Sequence, residues 1–394
     1  MSGYISTTAA TSFTSFGWPF DAAPLSSLLP VYSKREEEPV RSLLQALIKN
    51  HHDVYHIEHR DQPNELARVL VALHDLGATR EQIIQGYYKV IPTLVPLLHT
   101  DQKMLTITQD SWQDYLGHTQ YYRPYLAFFT EQIQDLGIEA AIDHFLFDVD
   151  SPLSTSFGSQ LQSLVHISFG LEYGMQDIVA QGLAYLASSH TDIQNLVQEH
   201  DNGHGVVHDP EDILFDMVAA DPRFDGRMET ADTIPAAIKI LLKSQASLLA
   251  TYVNTASLRS PEQLVHLAAK ILPMMQHCRS GASLLASALA IQALASTGRN
   301  VNQLLRIQWL ATLCTYIAEN RPMQPSNTAS FDITSQPNHE SSDLCLWQQL
   351  IDRVVSTGDP IHILSIQSLV KAATLYGDTQ HYLDAANTLV NRYL

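Results

Sequence analysis

A 394-residue chain with 41 acidic against 23 basic side chains carries a formal charge of −18, so nucleic acids and anionic membrane surfaces are not expected partners. At 45% hydrophobic and 16% charged residues it can bury a large core, and without a run of 18 apolar residues no transmembrane helix is predicted. Three widely spaced cysteines (Cys278, Cys314, Cys345) with no CxxC argue against a disulfide framework, and the N-terminus lacks the basic and apolar regions of a secretory signal; together these predict a soluble, cytoplasmic protein.

Residues 1–39 are polar with scattered aromatics and prolines and read as an N-terminal arm, with the helical body expected over 40–394. The stretch 64–88, NELARVLVALHDLGATREQIIQGYY, is the segment around which that body is organised. Leu66, Val69, Leu70 and Leu73 recur at helical spacing, and 69–73 is apolar on every side, which predicts burial around most of the helix. Gly77 stands where a left-handed residue closes a helix, and Thr79 with Gln82 reads as a capping box for the next one. Glu65 and Arg68, at i,i+3, either pair with each other or line a cavity.

Further along, 110–136 predicts one or two helices with an aromatic face from Tyr115, Tyr122, Tyr125, Phe128 and Phe129. Helices are expected at 160–169 and 176–187, split by Gly170 and Gly174. The Asp/Gly/Pro-rich stretch 200–235 reads as a connection holding one short helix at 211–219. Four helical segments come next, at 236–252, 261–275, 282–295 and 301–318. A polar loop at 323–343 precedes closing helices at 345–355, 361–375 and 382–393. Neither period-2 alternation nor a 30–50-residue repeat occurs, so the expected fold is all-α, a single large multi-helical domain with a central pocket.

Eighteen histidines invite a metal reading. His52 and His56, beside His51 and His59, have the i,i+4 spacing that puts two ligands on one helical face, but Pro63 and the charged run beside it leave a solvated cluster as the competing account. His200, His204 and His208 repeat the spacing, yet Gly203 and Gly205 break any helix that would align them. No GxGxxG, Walker loop, HExxH or GxSxG stands in a usable context, so nucleotide binding and serine hydrolysis have no support.

LGATREQIIQGYY resembles a segment of the questin oxidase-like family. The similarity continues through Trp112-x-x-Tyr115-Leu116-Gly117, Tyr121-Tyr122, Phe128-Phe129, the stretch GSQLQSLVHISFGLEY at 158–173, and Asp221-Pro222-Arg223-Phe224-Asp225-Gly226. The resemblance implies a fungal oxidoreductase of secondary metabolism that uses dioxygen to cleave or expand a ring of an aromatic polyketide, a small hydrophobic substrate. It implies Fe(II) in some members, held by histidines and a carboxylated lysine, and leaves NADPH possible.

The positions that would carry those ligands read here as Asn64-Glu65-Leu66-Ala67-Arg68, Gln162-Ser163-Leu164-Val165-His166, Ala286, and Ser368-Leu369-Val370-Lys371. Only His166 and Lys371 match. Arg68 puts a cation where a metal would sit, so the iron site is either rebuilt with residues such as His56 or lost, and the electrostatics favour loss. Lys371, His166, Arg68 and Glu65 are therefore the candidate catalytic residues, without a metal, and Gln162, Tyr122, Phe169 and Ser368 the candidate substrate-binding ones. His166 reads equally as a hydrogen-bonded core histidine, and Lys371 as a snorkelling lysine or a buried one. If the iron is lost, the same pocket suits a cyclase, isomerase or lyase that polarises a carbonyl or moves protons; a third reading is a binding or scaffold relative.

Overall fold

Asn64 accepts the Leu66 N–H at 3.1 Å and so starts the helix Leu66–Asp75, which ends two residues before Gly77, at φ +76°. Leu66 and Val69 through Leu73 are all buried in it, as the apolar run predicts. Thr79 then caps Arg80–Val90 reciprocally, its Oγ1 accepting from Gln82 N at 3.3 Å while its own N–H donates to Gln82 Oε1 at 2.8 Å. Asp359 followed by Pro360 does the same for Pro360–Tyr376, accepting from the N–H groups of Ile361 and His362 at 3.0 and 3.1 Å.

The computed structural model describes residues 37–49, 54–97, 105–198, 206–225, 231–323, 339–377 and 379–394. Within them the fold is all-α, with one two-stranded ladder pairing Glu58–His59 with Gln62–Pro63. Of the arm expected over 1–39, residues 1–36 lie outside the described residues, as do His51 and His52, His200 and His204, and most of the loop 323–343, while 37–39 begin the helix Glu37–Lys49.

Cys278–Ala295 is the central helix. Gln162–Glu172, Pro261–Ile271, Val301–Ala318 and Pro360–Tyr376 pack around it. By length and composition it is apolar enough to cross a membrane, although the sequence showed no unbroken apolar run, and here most of it is buried in the protein core. Outside this layer, Tyr122–Leu136 lies on Gln176–Ser188, and Leu66–Asp75 on Pro360–Tyr376. One continuous apolar core runs from Leu44 to Val390.

Gln162–Glu172 and Gln176–Ser188 touch backbone to backbone because Gly170 and Gly182 face each other's helices. A Cβ on Gly182 would lie 2.8 Å from Ile167 N, and one on Gly170 would lie 2.8 Å from Val179 N. Beside this pair the expected aromatic face is core. Trp112, Phe128 and Phe129 meet Phe145 edge to face at centroid separations of 5.4, 5.7 and 5.1 Å, and the Tyr125 hydroxyl donates to Trp112 O.

Several expectations are corrected. The segment after His56 is a hairpin rather than a helix, so no helical face carries His56 and His59, and the His52 partner of the i,i+4 spacing lies outside the described residues; Arg60 and Asp61 take the positive φ of the tight turn. The segment 236–252 breaks at Gln245 into Ile234–Ser244 and Ala246–Asn254, and 211–219 is a wide π turn, Ile213–Val218, preceded by Pro210–Asp212. The helix expected from 160 starts at Gln162. Before it, Ser159, Gln160 and Leu161 are all left-handed, at φ +44°, +54° and +66°.

Candidate active site

That left-handed run borders the site, with Ser159 and Gln160 on the wall of a large cavity. Each non-glycine residue there costs roughly 1–2 kcal/mol, and strain of this kind persists where surrounding contacts hold it. Ser159 Oγ donates to Glu58 Oε2 at 2.5 Å, and the Tyr185 hydroxyl donates to the same oxygen. The hairpin, the turn and the helix Gln176–Ser188 are thereby tied at one carboxylate. Burial, with Glu58 adding to it, pushes the Tyr185 phenol well above its ordinary range, so it stays a proton donor to Glu58.

Glu58, Ser159 and Tyr185 line a cavity of about 760 Å³. Its other walls are the start of Ile234–Ser244, the late turns of Val301–Ala318, and the first turns of Cys278–Ala295 with His277 and Arg279. His277 precedes the central helix, and its Nδ1 lies 3.1 Å from Oε1 of Glu319, whose side chain is wholly buried. Glu319 also accepts the backbone N–H groups of Gln276 and His277 at 2.9 and 3.2 Å. A carboxylate held this way accepts a hydrogen bond from Nδ1–H and so favours the tautomer whose Nε2 is an acceptor.

A second cavity, of about 50 Å³, contains much of the predicted set: Arg68, Phe169, Ser368 and Lys371 line it together. It is too small for a drug-sized ligand, whose pockets measure roughly 300–1,000 Å³. Lys371 is neither free nor deeply buried: its ammonium pairs with Glu172, at 25% side-chain exposure. Tyr173, on the same wall, donates to Asp75 at 2.8 Å.

Glu65 stands between the two cavities. Its Oε1 lies 3.5 Å from Arg68 Nη1 and its Oε2 accepts from Arg279 Nη1 at 2.8 Å, so Glu65 and Arg68 pair, and of these two only Arg68 lines a cavity. Burial lowers the Arg68 pKa, Glu65 opposes this, and Arg279 adds to it. His166 lies on the wall of neither cavity. It is a core histidine with Nε2 3.1 Å from Gln181 Oε1, and burial pulls its pKa down to about 4 against the Gln181 hydrogen bond. Tyr122 is likewise buried and lies on the wall of neither cavity. Gln162 alone of the predicted residues lines the large cavity.

The ligand set implied by resemblance does not fit iron. Glu65 is shared by two guanidiniums, His166 Nε2 is spent on Gln181, and Lys371 on Glu172. Arg68 occupies the wall they would have to share. Among the described residues no three His, Cys, Asp or Glu side chains are placed to hold a metal ion.

Sequence reasoning missed Glu58, Tyr185, Arg279 and the His277–Glu319 pair. Only Glu319 left a signal: a lone carboxylate ending the apolar run 309–318 must find a partner once buried. The others lie far apart in sequence and meet only through packing.

The sequence model of the questin oxidase-like family matches residues 63–364. Among curated proteins, the chain is 26% identical over 159 residues to a Baeyer–Villiger monooxygenase of Aspergillus aculeatus, covering 37% of this chain and 32% of that protein. A questin oxidase of Aspergillus terreus is 25% identical over 150 residues, 36% of this chain and 34% of its own length. A Baeyer–Villiger oxidase of Emericella nidulans is 23% identical over 215 residues, 52% and 44% respectively. These alignments span about a third to under half of the relatives' own lengths.

Proposed function

Because this chain belongs to the questin oxidase-like family, we propose that it is an oxidoreductase that oxidises a planar aromatic polyketide, cleaving or expanding a ring, inside the large cavity. Ring expansion is the Baeyer–Villiger outcome named for its relatives. The observation that carries the reading is the cavity itself. About 760 Å³ is large enough for a fused-ring ligand, and beside apolar side chains such as Ile234, Leu284, Ala311 and Ala318 its walls carry mostly polar groups.

Those groups divide the chemistry. Arg279 uses one nitrogen on Glu65, and its remaining N–H donors suit an oxyanion developing on the substrate. His277, held by Glu319, is the group to take a phenolic proton at Nε2. Glu58 already accepts from Tyr185 and Ser159, and so fixes the wall instead of reacting.

Ring expansion puts one atom of dioxygen into the substrate and reduces the other to water, so the test is oxygen uptake by the purified protein with a hydroxyanthraquinone and NADPH as the two-electron reductant, together with the product mass under labelled dioxygen. Uptake matched to substrate loss, with label in the product, is expected. Conversion at an undiminished rate under argon would replace this reading with the cyclase or isomerase one, and absence of both binding and conversion would remove the aromatic substrate altogether.

A further inference from the structure

Three helices bring to the small cavity polar groups that no protein atom uses. Arg68, on Leu66–Asp75, has one contact, its Nη1 lying 3.5 Å from Glu65, and its Nε and Nη2 donate to nothing among the described residues. Ser168, on Gln162–Glu172, and Ser368, on Pro360–Tyr376, are each 4% exposed, and neither hydroxyl has a partner among the described residues. A serine inside a helix can return its hydroxyl to the carbonyl four residues back, as Ser365 does on the same helix at 2.7 Å. Ser168 and Ser368 do not. All three residues line the cavity, and none of these unused atoms is sealed off from it.

The charges around this space do not cancel. Glu65 serves two guanidiniums, and its shorter contact, 2.8 Å, goes to Arg279. Lys371 and Glu172 neutralise each other, at 25% and 34% exposure. Asp75 is not on the wall; it accepts from Tyr173 at 2.8 Å and from Gln367 at 3.3 Å, and lies 3.7 Å from His74. Arg68 is left with half a counter-charge in a side chain only 11% exposed. Ala286 and Ala290 of the central helix, with Val165, form the apolar wall, and their small side chains leave the space open. A water-sized centre needs roughly 10–15 Å³, so a cavity of about 50 Å³ admits roughly three or four heavy atoms.

We propose that the small cavity binds a planar oxyanion of the carboxylate class, of the size of formate or bicarbonate. Arg68 meets it with Nε–H and Nη2–H, the fork that a guanidinium offers to two oxygens at once. Ser168 and Ser368 donate to the remaining lone pairs. The anion supplies the negative charge that Glu65 has to divide between two arginines. It binds apart from the large cavity, so the inference does not depend on which substrate that cavity takes.

The test follows the line width of carbon-13 formate titrated with the purified protein at constant ionic strength, with unlabelled bicarbonate, chloride and benzoate as competitors. Saturable broadening with a dissociation constant of about 1 mM or below is expected, and bicarbonate should reverse it. Arg68→Met should weaken formate by about tenfold or more, since the charge-assisted fork is gone. That variant also alters the Glu65 bridge, so a second one, Ser168→Ala with Ser368→Ala, keeps every charge and should weaken formate by about fivefold or more. No saturable binding up to about 100 mM would mean that water alone fills the cavity, and the proposal fails. Affinity unchanged in both variants would put the anion elsewhere and overturn it as well. Chloride competing as well as bicarbonate would leave a site for charge without shape, and benzoate competing as well would give the carboxylate to a larger molecule reaching in from outside; either result overturns the small planar anion.

Discussion

Arg279 Nη1 donates to Glu65 Oε2 at 2.8 Å across 214 positions of sequence, and this contact joins the walls of the two cavities. Glu65 is the only carboxylate that the described ion pairs place between Arg279 and the buried Arg68. Removing it leaves Arg68 in a nearly dry site with a second guanidinium nearby. Glu65→Gln should therefore cost about 3 kcal/mol, the range for orphaning a buried charge. Arg68→Met should cost less, since Glu65 keeps Arg279. Urea denaturation of the two variants checks the order, and equal losses would show that Glu65 carries no bridging role.

Lys371 gives the second expectation. It pairs with Glu172 at partial exposure on both sides and faces a cavity of about 50 Å³. Such a pair contributes below about 1 kcal/mol, so Lys371→Met should fold normally. With substrate held in the large cavity, turnover should stay within about threefold of wild type. A loss beyond a hundredfold at unchanged stability would return the chemistry to the small cavity and to the ligand set that resemblance suggested.

What the sequence revealed and what it hid differ by range. Helix starts and stops depend on residues within four positions, so Thr79/Gln82 and Gly77 were legible and stand as read. Burial of 69–73 came from periodicity alone. The site was legible only in pieces. Glu65 with Arg68 could be seen as neighbours, but Arg279, the residue that gives the pair its meaning, is 214 positions away. Lys371, Arg68, Phe169 and Ser368 line one space, whereas Glu65 and His166 do not, and the size of that space was invisible until the helices were packed. The left-handed turn at 159–161 had no glycine to announce it; it exists because Glu58 and the packed helices hold it.

Gly182 faces Ile167 so closely that an added Cβ would sit 2.8 Å from its nitrogen and 2.5 Å from its Cγ1. A side-chain atom can move away, but a backbone nitrogen inside a helix cannot. Gly182→Ala should push the helices Gln162–Glu172 and Gln176–Ser188 apart and cost about 1–3 kcal/mol, despite the gain in helix propensity of up to about 1 kcal/mol. The variant should also raise the KM for substrate, since Gln162 and Tyr185 sit on opposite members of the pair. Unchanged stability would mean that the helices are not in contact along this line.

His166 sets the acid limit of the fold. Its ring is 5% exposed, and burial brings its pKa from the ordinary 6.5 to about 4. Between those values the unfolded chain binds a proton that the folded chain refuses, so stability falls as pH drops through this window and is fully present above 6.5. Over the whole window the loss from this one group is on the order of 3 kcal/mol. His56 and His190 are shifted in the same direction by burial, so the wild-type curve alone cannot isolate His166. The comparison that does is His166→Gln, which keeps an amide donor toward Gln181 and cannot titrate. At pH 7 the variant should lose about 1–2 kcal/mol from imperfect packing in this tight helix pair. As pH falls from 6.5 toward 4, the wild type should lose stability faster than the variant, and the gap between them should narrow or invert. Parallel curves across that range would mean that His166 takes up a proton in the folded state as readily as in the unfolded one, and a buried, neutral histidine at this position would be ruled out.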